Sequence, residues 1–313
     1  MTHEEKVWIE RLNRIGIGYF RPLVAAALTP DANTTPEERI EFFRAVERFI
    51  FLSFRMAASQ SSYQSSEYYR KTRDVYTGKL FLSEVTASLI TTATNDMDNS
   101  INSFITRTDR RFSNGGGFYD WRDLRYLLFE YEYKKAEETG IEKLGWTPFT
   151  KVEKDKVSIE HILPQTPTKL YWRNHFRQYT EDEIKILSGS LGNLLPLSQS
   201  VNSALQNDGF IEKKSSKNIG RRGYEDGSHS EIEVSRQTDW DAQRILKRGI
   251  KLLKFIENRW NIQFKDEAQM IELLHISFVN DGRADMPEIP EPPEPEIEET
   301  IVQPTDTPSG FSD

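Results

Sequence analysis

For its first 145 residues the chain repeats apolar side chains three and four positions apart, and then it stops. That spacing gathers the apolar groups into one stripe along a helix, so this half has to be built by packing helix against helix. In "VWIERLNRIGIGYFRPLVAAAL" the stripe runs on until Pro30, Asp31 and Asn33 close the segment. The next stretch, "TTPEERIEFFRAVERFIFLSFRMA", opens with Thr35 as N-cap, Pro36 at the first helical position, and Glu37 and Glu38 in the first turn. Its centre is apolar nearly all round, which marks a helix buried inside a bundle. Further helices are predicted around "SEVTASLITTA", "DNSINSFITRTDRRF" and, after "NGGG", "WRDLRYLLFEYEYKKAEE". Gly115, Gly116 and Gly117 read as a flexible turn, since no Lys-Ser/Thr pair follows to make a phosphate loop.

Beyond residue 145, "GWTPFTKVEKDKVSIEHILP" alternates in the manner of a strand and is punctuated by proline. A last long helix is predicted in "TDWDAQRILKRGIKLLKFIENRW", with Thr238 as N-cap and Ile245, Leu246, Ile250, Leu253 and Ile256 on one face. The expected organisation is a helical domain over 1–145, a second domain over 146–265, a short extension over 266–283 and a tail over 284–313. The tail holds nine acids, no Lys or Arg, and seven of the fourteen prolines, a mixture that cannot bury enough apolar surface to offset its ordering entropy. Disorder is expected there, as a solvated tail or as an acidic decoy for a basic site. Of the net charge of −8, the tail carries all the excess and leaves the first 283 residues at +1. Cysteine is absent, which excludes disulfides, thiolate nucleophiles and iron–sulfur sites and fits a reducing cytosol. No segment approaches the eighteen or so apolar residues of a membrane span, so a soluble, cytoplasmic protein is expected.

Two compact motifs could carry chemistry. In "VSIEHILPQTP" an acid and a histidine, Glu160 and His161, stand side by side just before Pro164. Neighbours on a regular strand point to opposite faces, and only at a frayed end turned by the proline could both reach one site. On its own such a pair is structural more often than catalytic. In "LGNLLPLSQSVNSALQ", Gly192 and Asn193 signal a turn, "LLPL" a short strand, and Ser198 the cap of a helix that carries Asn202 in its second turn.

Taken together these residues resemble the HNH endonuclease family, whose ββα-metal site is a hairpin followed by one helix. Glu160 and His161 match the family's acid-histidine pair, Asn193 its central asparagine and Asn202 its last His/Asn. More narrowly, "EHILPQ" followed by "LGNLLPLSQSVNSALQNDGFIEKK" looks like the C-terminal nuclease domain of GmrSD-type modification-dependent restriction enzymes, and the likeness extends over roughly residues 10–262. The resemblance implies a mainly α protein, a helical bundle plus a small α+β nuclease domain with flanking helices. It implies His161 as general base, a divalent ion, Mg²⁺ or Mn²⁺, on Glu160 and Asn202, and Asn193 holding the His161 loop. The implied partner is DNA and the implied setting a restriction or anti-phage defence system. The Asp-Gly-Gln-Gln-Arg motif of the nucleotide-binding module in such enzymes does not occur in this chain, so a separate nucleotide-binding or sensor module is a further expected partner.

Phosphate contacts are expected from "EKKSSKNIGRR", through Lys213, Lys214, Lys217, Arg221 and Arg222, and from Arg173, with Lys213 nearest the scissile phosphate. His175 and Arg177 read as neighbours on that surface or as plain exposed residues, and Tyr171 and Trp172 as packing or as stacking platforms. His3, His229 and His275 stand outside any motif. The competing reading is a catalytically silent module that binds nucleic acid or protein on the same scaffold. A metallopeptidase is disfavoured, because no His-Glu-x-x-His string is present.

Overall fold

The computed structural model describes residues 1–30, 33–147, 157–215, 222–283 and 286–290. Among the described residues seven helices come first: α1 (His3–Ile15), α2 (Arg21–Ala27), α3 (Pro36–Ile50), α4 (Ser65–Tyr76), α5 (Leu82–Asn95), α6 (Met97–Ser113) and α7 (Leu124–Thr139). Strand β1 (Val157–His161) is next among them, then α8 (Leu170–His175) and α9 (Glu181–Gly189), then strand β2 (Leu194–Ser198). Five more described helices follow: α10 (Gln199–Leu205), α11 (Phe210–Lys214), α12 (His229–Ser235), α13 (Ala242–Trp260) and α14 (Glu267–Leu273). The protein is mainly α with one small antiparallel sheet.

Local chemistry sets most of these boundaries. Thr35 Oγ1 accepts the Glu38 N–H at 3.2 Å while the Glu38 carboxylate accepts the Thr35 N–H at 2.8 Å, a reciprocal cap that starts α3 where the sequence placed it. α3 then runs into a π-helical turn over Phe51–Met56. The first apolar stripe is not one helix: Gly16 takes φ +86° and ends α1, and a 3-10 turn leads into α2. Thr238 does not cap the last long helix. Asp241 does, its Oδ1 accepting the Arg244 N–H at 2.8 Å, while Thr238 Oγ1 accepts from the Arg244 side chain. Ser198 precedes α10 without capping it through its side chain.

One apolar core extends from Trp8 to Val279 across residue 145. Buried charge pins it. Glu47, 1% exposed, accepts from Tyr126 Oη at 2.6 Å and Trp260 Nε1 at 2.8 Å, and Arg259 bridges it to Glu130. Phe51 stacks on Trp260 with ring centres 3.6 Å apart, which seats α13 against the end of α3.

At the far end of the chain, the first part of the tail is held. Asn174 donates to Ile289 O and accepts the Ile289 N–H at 2.8 Å, and Arg177 donates to Met286 O. Residues 286–290 are thus tied to Asn174 and Arg177, while 284–285 and 291–313 of the expected disordered tail lie outside the described residues.

Candidate functional site

β1 and β2 pair antiparallel, with Glu160 opposite Leu195 and His161 opposite Leu194. The turn at Gly192 and Asn193 is a 3-10 turn over Leu191–Asn193, and it is packed against α13. A β-carbon on Gly192 would fall 1.9 Å from Ile245 O, so only glycine permits the contact. Arg248, on the same helix, donates from Nη1 to Gly192 O at 2.7 Å and Leu194 O at 2.8 Å.

Asn193 is fully buried and ties the end of β1 to this turn. Its Oδ1 accepts the Leu163 N–H at 2.8 Å and Trp240 Nε1 at 3.1 Å, and its Nδ2 donates to Leu163 O and Ser188 O. The main chain adds Ile162 N–H to Asn193 O at 3.0 Å. Asn202 ties α10 to β1, donating from Nδ2 to Ser158 Oγ at 2.8 Å and Ile159 O at 3.4 Å.

Glu160 and His161 are neighbours in sequence and have different surroundings, as strand alternation requires. Glu160 is 3% exposed, and its Oε1 accepts from Lys213 Nζ at 2.6 Å and Tyr224 Oη at 3.1 Å. Burial pushes its carboxyl above the ordinary range and Lys213 draws it part of the way back. His161 lies against Tyr119, ring centres 4.6 Å apart, and its Nε2 is buried with no hydrogen-bond partner among the described residues. Burial first, and the Lys213 charge second, push the imidazole down to about 4, so the ring is neutral at pH 7 and offers a lone pair.

The expected basic surface is changed most. Lys213 is fully buried: its ammonium donates to Glu160 Oε1, His161 O at 3.2 Å and Ile162 O at 3.1 Å, so it holds the end of β1 and cannot contact a phosphate in this arrangement. Lys214 donates to Gln237 O, and Arg222 is paired with Glu231 at 2.5 Å. Arg173 is exposed on α8. Lys217 and Arg221 lie outside the described residues. Trp172 is buried, with Nε1 on Asp208 O, and is packing rather than a platform. His175 pairs with Asp239 at 2.6 Å beneath Tyr171.

Of the Glu160 carboxylate, Oε1 accepts from an ammonium and a phenol, and no cluster of three or more His, Asp or Glu suited to a metal occurs among the described residues. The glycine loop is also other than expected: Gly117 is buried, at φ +54°, where a β-carbon would fall 2.6 Å from Gly189 O. This packed turn delivers Tyr119 to His161. Tyr119 escaped the sequence reading, because it meets His161 only through long-range packing.

Residues 106–255 match the family model of GmrSD restriction endonucleases, C-terminal domain. The match begins within α6, ends within α13 and contains His161, Asn193 and Asn202; it is shorter than the stretch over which the sequence suggested a likeness. No curated protein and no solved structure matches the chain. The matched region is thus similar to a nuclease domain of restriction type.

Proposed function

We propose that the region matched to the GmrSD C-terminal domain is an endonuclease that hydrolyses DNA phosphodiesters in restriction or anti-phage defence, with His161 as general base. The observation that carries this reading is the neutral imidazole whose buried Nε2 has no partner among the described residues, on a strand end fixed by Asn193. Buried nitrogen left unpaired is costly, and such groups concentrate where chemistry uses them. Water positioned at Nε2 gives its proton to the ring as its oxygen attacks phosphorus, and the bond from phosphorus to the 3′-oxygen breaks. Asn193 and Asn202 are positioning residues in this scheme, the first fixing the loop after β1 and the second fixing α10 on β1. No step is routed through a divalent ion, since the Glu160 carboxylate is engaged by Lys213; Mg²⁺ and Mn²⁺ enter as variables of the test. Arg173 is the surface cation offered to the DNA backbone.

The same engagement of Glu160 favours a second reading, a module that binds nucleic acid without cutting it. Supercoiled plasmid incubated with the full chain in Mg²⁺, Mn²⁺ or chelator separates the two. Nicking that falls about 10²- to 10⁴-fold in His161→Ala supports the proposal. Nicking that survives the substitution sinks His161 as base, and no cleavage of any DNA under any condition leaves the binding module.

A further inference from the structure

Tyr119, whose ring lies on His161, is followed directly by residues that wall a cavity. Asp120 to Asp123 line one side of a space of about 590 Å³, a volume that suits one nucleotide. α6 supplies a second wall through Arg107, Arg110, Arg111 and Asn114, which recur three, four and seven positions on from the first and so share one helix face. Tyr19 and Phe54, both half-buried, present aromatic surface, with Phe20 and Trp121 buried beside them.

Charge is concentrated in this cavity. Several arginines elsewhere are matched to acids, Arg39 to Glu5, Arg222 to Glu231, Arg259 to Glu47 and Glu130, and buried Arg248 donates to main-chain carbonyls. Of the cavity's five arginines, Arg55 is paired with Asp123 at 3.4 Å. Arg107, Arg110, Arg111 and Arg122 have no carboxylate within ion-pair distance among the described residues. Arg111 donates to Thr108 Oγ1 at 2.6 Å, its Nε is buried without a partner, and burial with neighbouring Arg107 pushes its guanidinium down to about 10. Asp120, whose carboxylate lies over Gly116, and Asp123 offset part of the Arg111 charge electrostatically without coming within ion-pair distance of it. Unpaired guanidinium groups beside accessible rings form a receptor for an anion that carries an aromatic plane.

We infer that this cavity binds a nucleoside phosphate, the base against Tyr19 and Phe54 and the phosphate on Arg107, Arg110 and Arg122. A free mononucleotide and a nucleotide swung out of a DNA strand present the same chemistry. The second source rests on the proposed nuclease reading, because Tyr119 is the residue before the cavity wall and the residue against His161.

Calorimetric titration of the full chain with adenosine 5′-monophosphate, adenosine and inorganic phosphate tests the cavity without reference to cleavage. The expected result is that the mononucleotide binds more tightly than either part. Arg107→Ala/Arg110→Ala, two exposed positions, is expected to weaken it at least ~10-fold, and Phe54→Leu to weaken the mononucleotide but not phosphate. A duplex with one bulged adenine, set beside its fully paired counterpart, identifies the source. Preference for the bulge that disappears in the double variant assigns a nucleotide within DNA; equal binding of the two duplexes assigns the free mononucleotide. Absence of mononucleotide binding, or binding indifferent to the arginine substitutions, overturns the inference. His161→Ala is expected to keep the titration intact, so a failed nicking assay would remove the nuclease reading while leaving the cavity to be judged by its own binding.

Discussion

A completely buried lysine has to be explained by what it holds. Lys213 spans from α11 to the end of β1 and neutralises Glu160, and Tyr224 completes the set. Lys213→Met removes one partner and leaves a carboxylate in the core, a loss on the order of 3–5 kcal/mol. Urea unfolding of Lys213→Met, Glu160→Leu and the double variant closes the cycle. The double variant is expected to be more stable than Lys213→Met by at least ~1 kcal/mol, and full additivity of the single losses would show that the pair is not coupled. The roles of these two residues were only half legible. Glu160 was visible because it sits beside a histidine in a short motif, but Lys213 lies 53 positions on, in a run of lysines that reads as a phosphate-contacting basic loop. Nothing local marks Lys213 as a lysine that turns inward. Asn193 fared better, since a Gly-Asn turn before an apolar strand is a local signal and its bonds to Leu163 follow from the pairing of β1 with β2.

Among the elements, α13 and the turn before β2 are in backbone contact. Gly192→Ala would drive a methyl group into Ile245 O and Gly249 N, at 1.9 and 2.7 Å, and is expected to cost more than ~2 kcal/mol. Gly282, with open space around its Cα, is the control, and Gly282→Ala should stay within ~0.5 kcal/mol of the parent in the same thermal melts. Equal melting temperatures for both variants would refute the close approach. Helix existence was legible here because α3, α5, α6, α7 and α13 each carry a long stripe or a capping signal. α4 was missed: "SSEYYRKTRDVY" is mostly polar and buries only Tyr68 and Val75, so its periodicity is faint. The cap of α13 was misplaced by three residues because Thr238 and Asp241 are both competent, and only tertiary packing decides between them.

For the whole molecule the continuous core and the buried Glu47, Arg259 and Glu130 network argue that the parts on either side of residue 145 unfold together. Far-UV circular dichroism and tryptophan fluorescence should therefore report one coincident urea transition, and two separated midpoints would contradict that coupling. The pH dependence has a definite sign. His161 is held near 4 in the folded chain against about 6.5 when unfolded, so below pH 6.5 the unfolded chain binds the extra proton. Stability should fall from about pH 6.5 to 4, with a shallower slope in His161→Gln; an unchanged slope would refute the buried neutral ring. Glu233, half-buried and held down to about 2 by Lys135 and Lys251 against its desolvation, adds stability that is present above its ordinary value and lost only as pH falls towards 2. β1 is separated from β2 by residues 162–193, and α13, later still in the chain, braces the start of β2 through Arg248. On a ribosome, the histidine strand emerges well before its partner strand and far before its brace. Chains terminated before β2 would carry Glu160 and His161 without the partner strand and the helix that fix them.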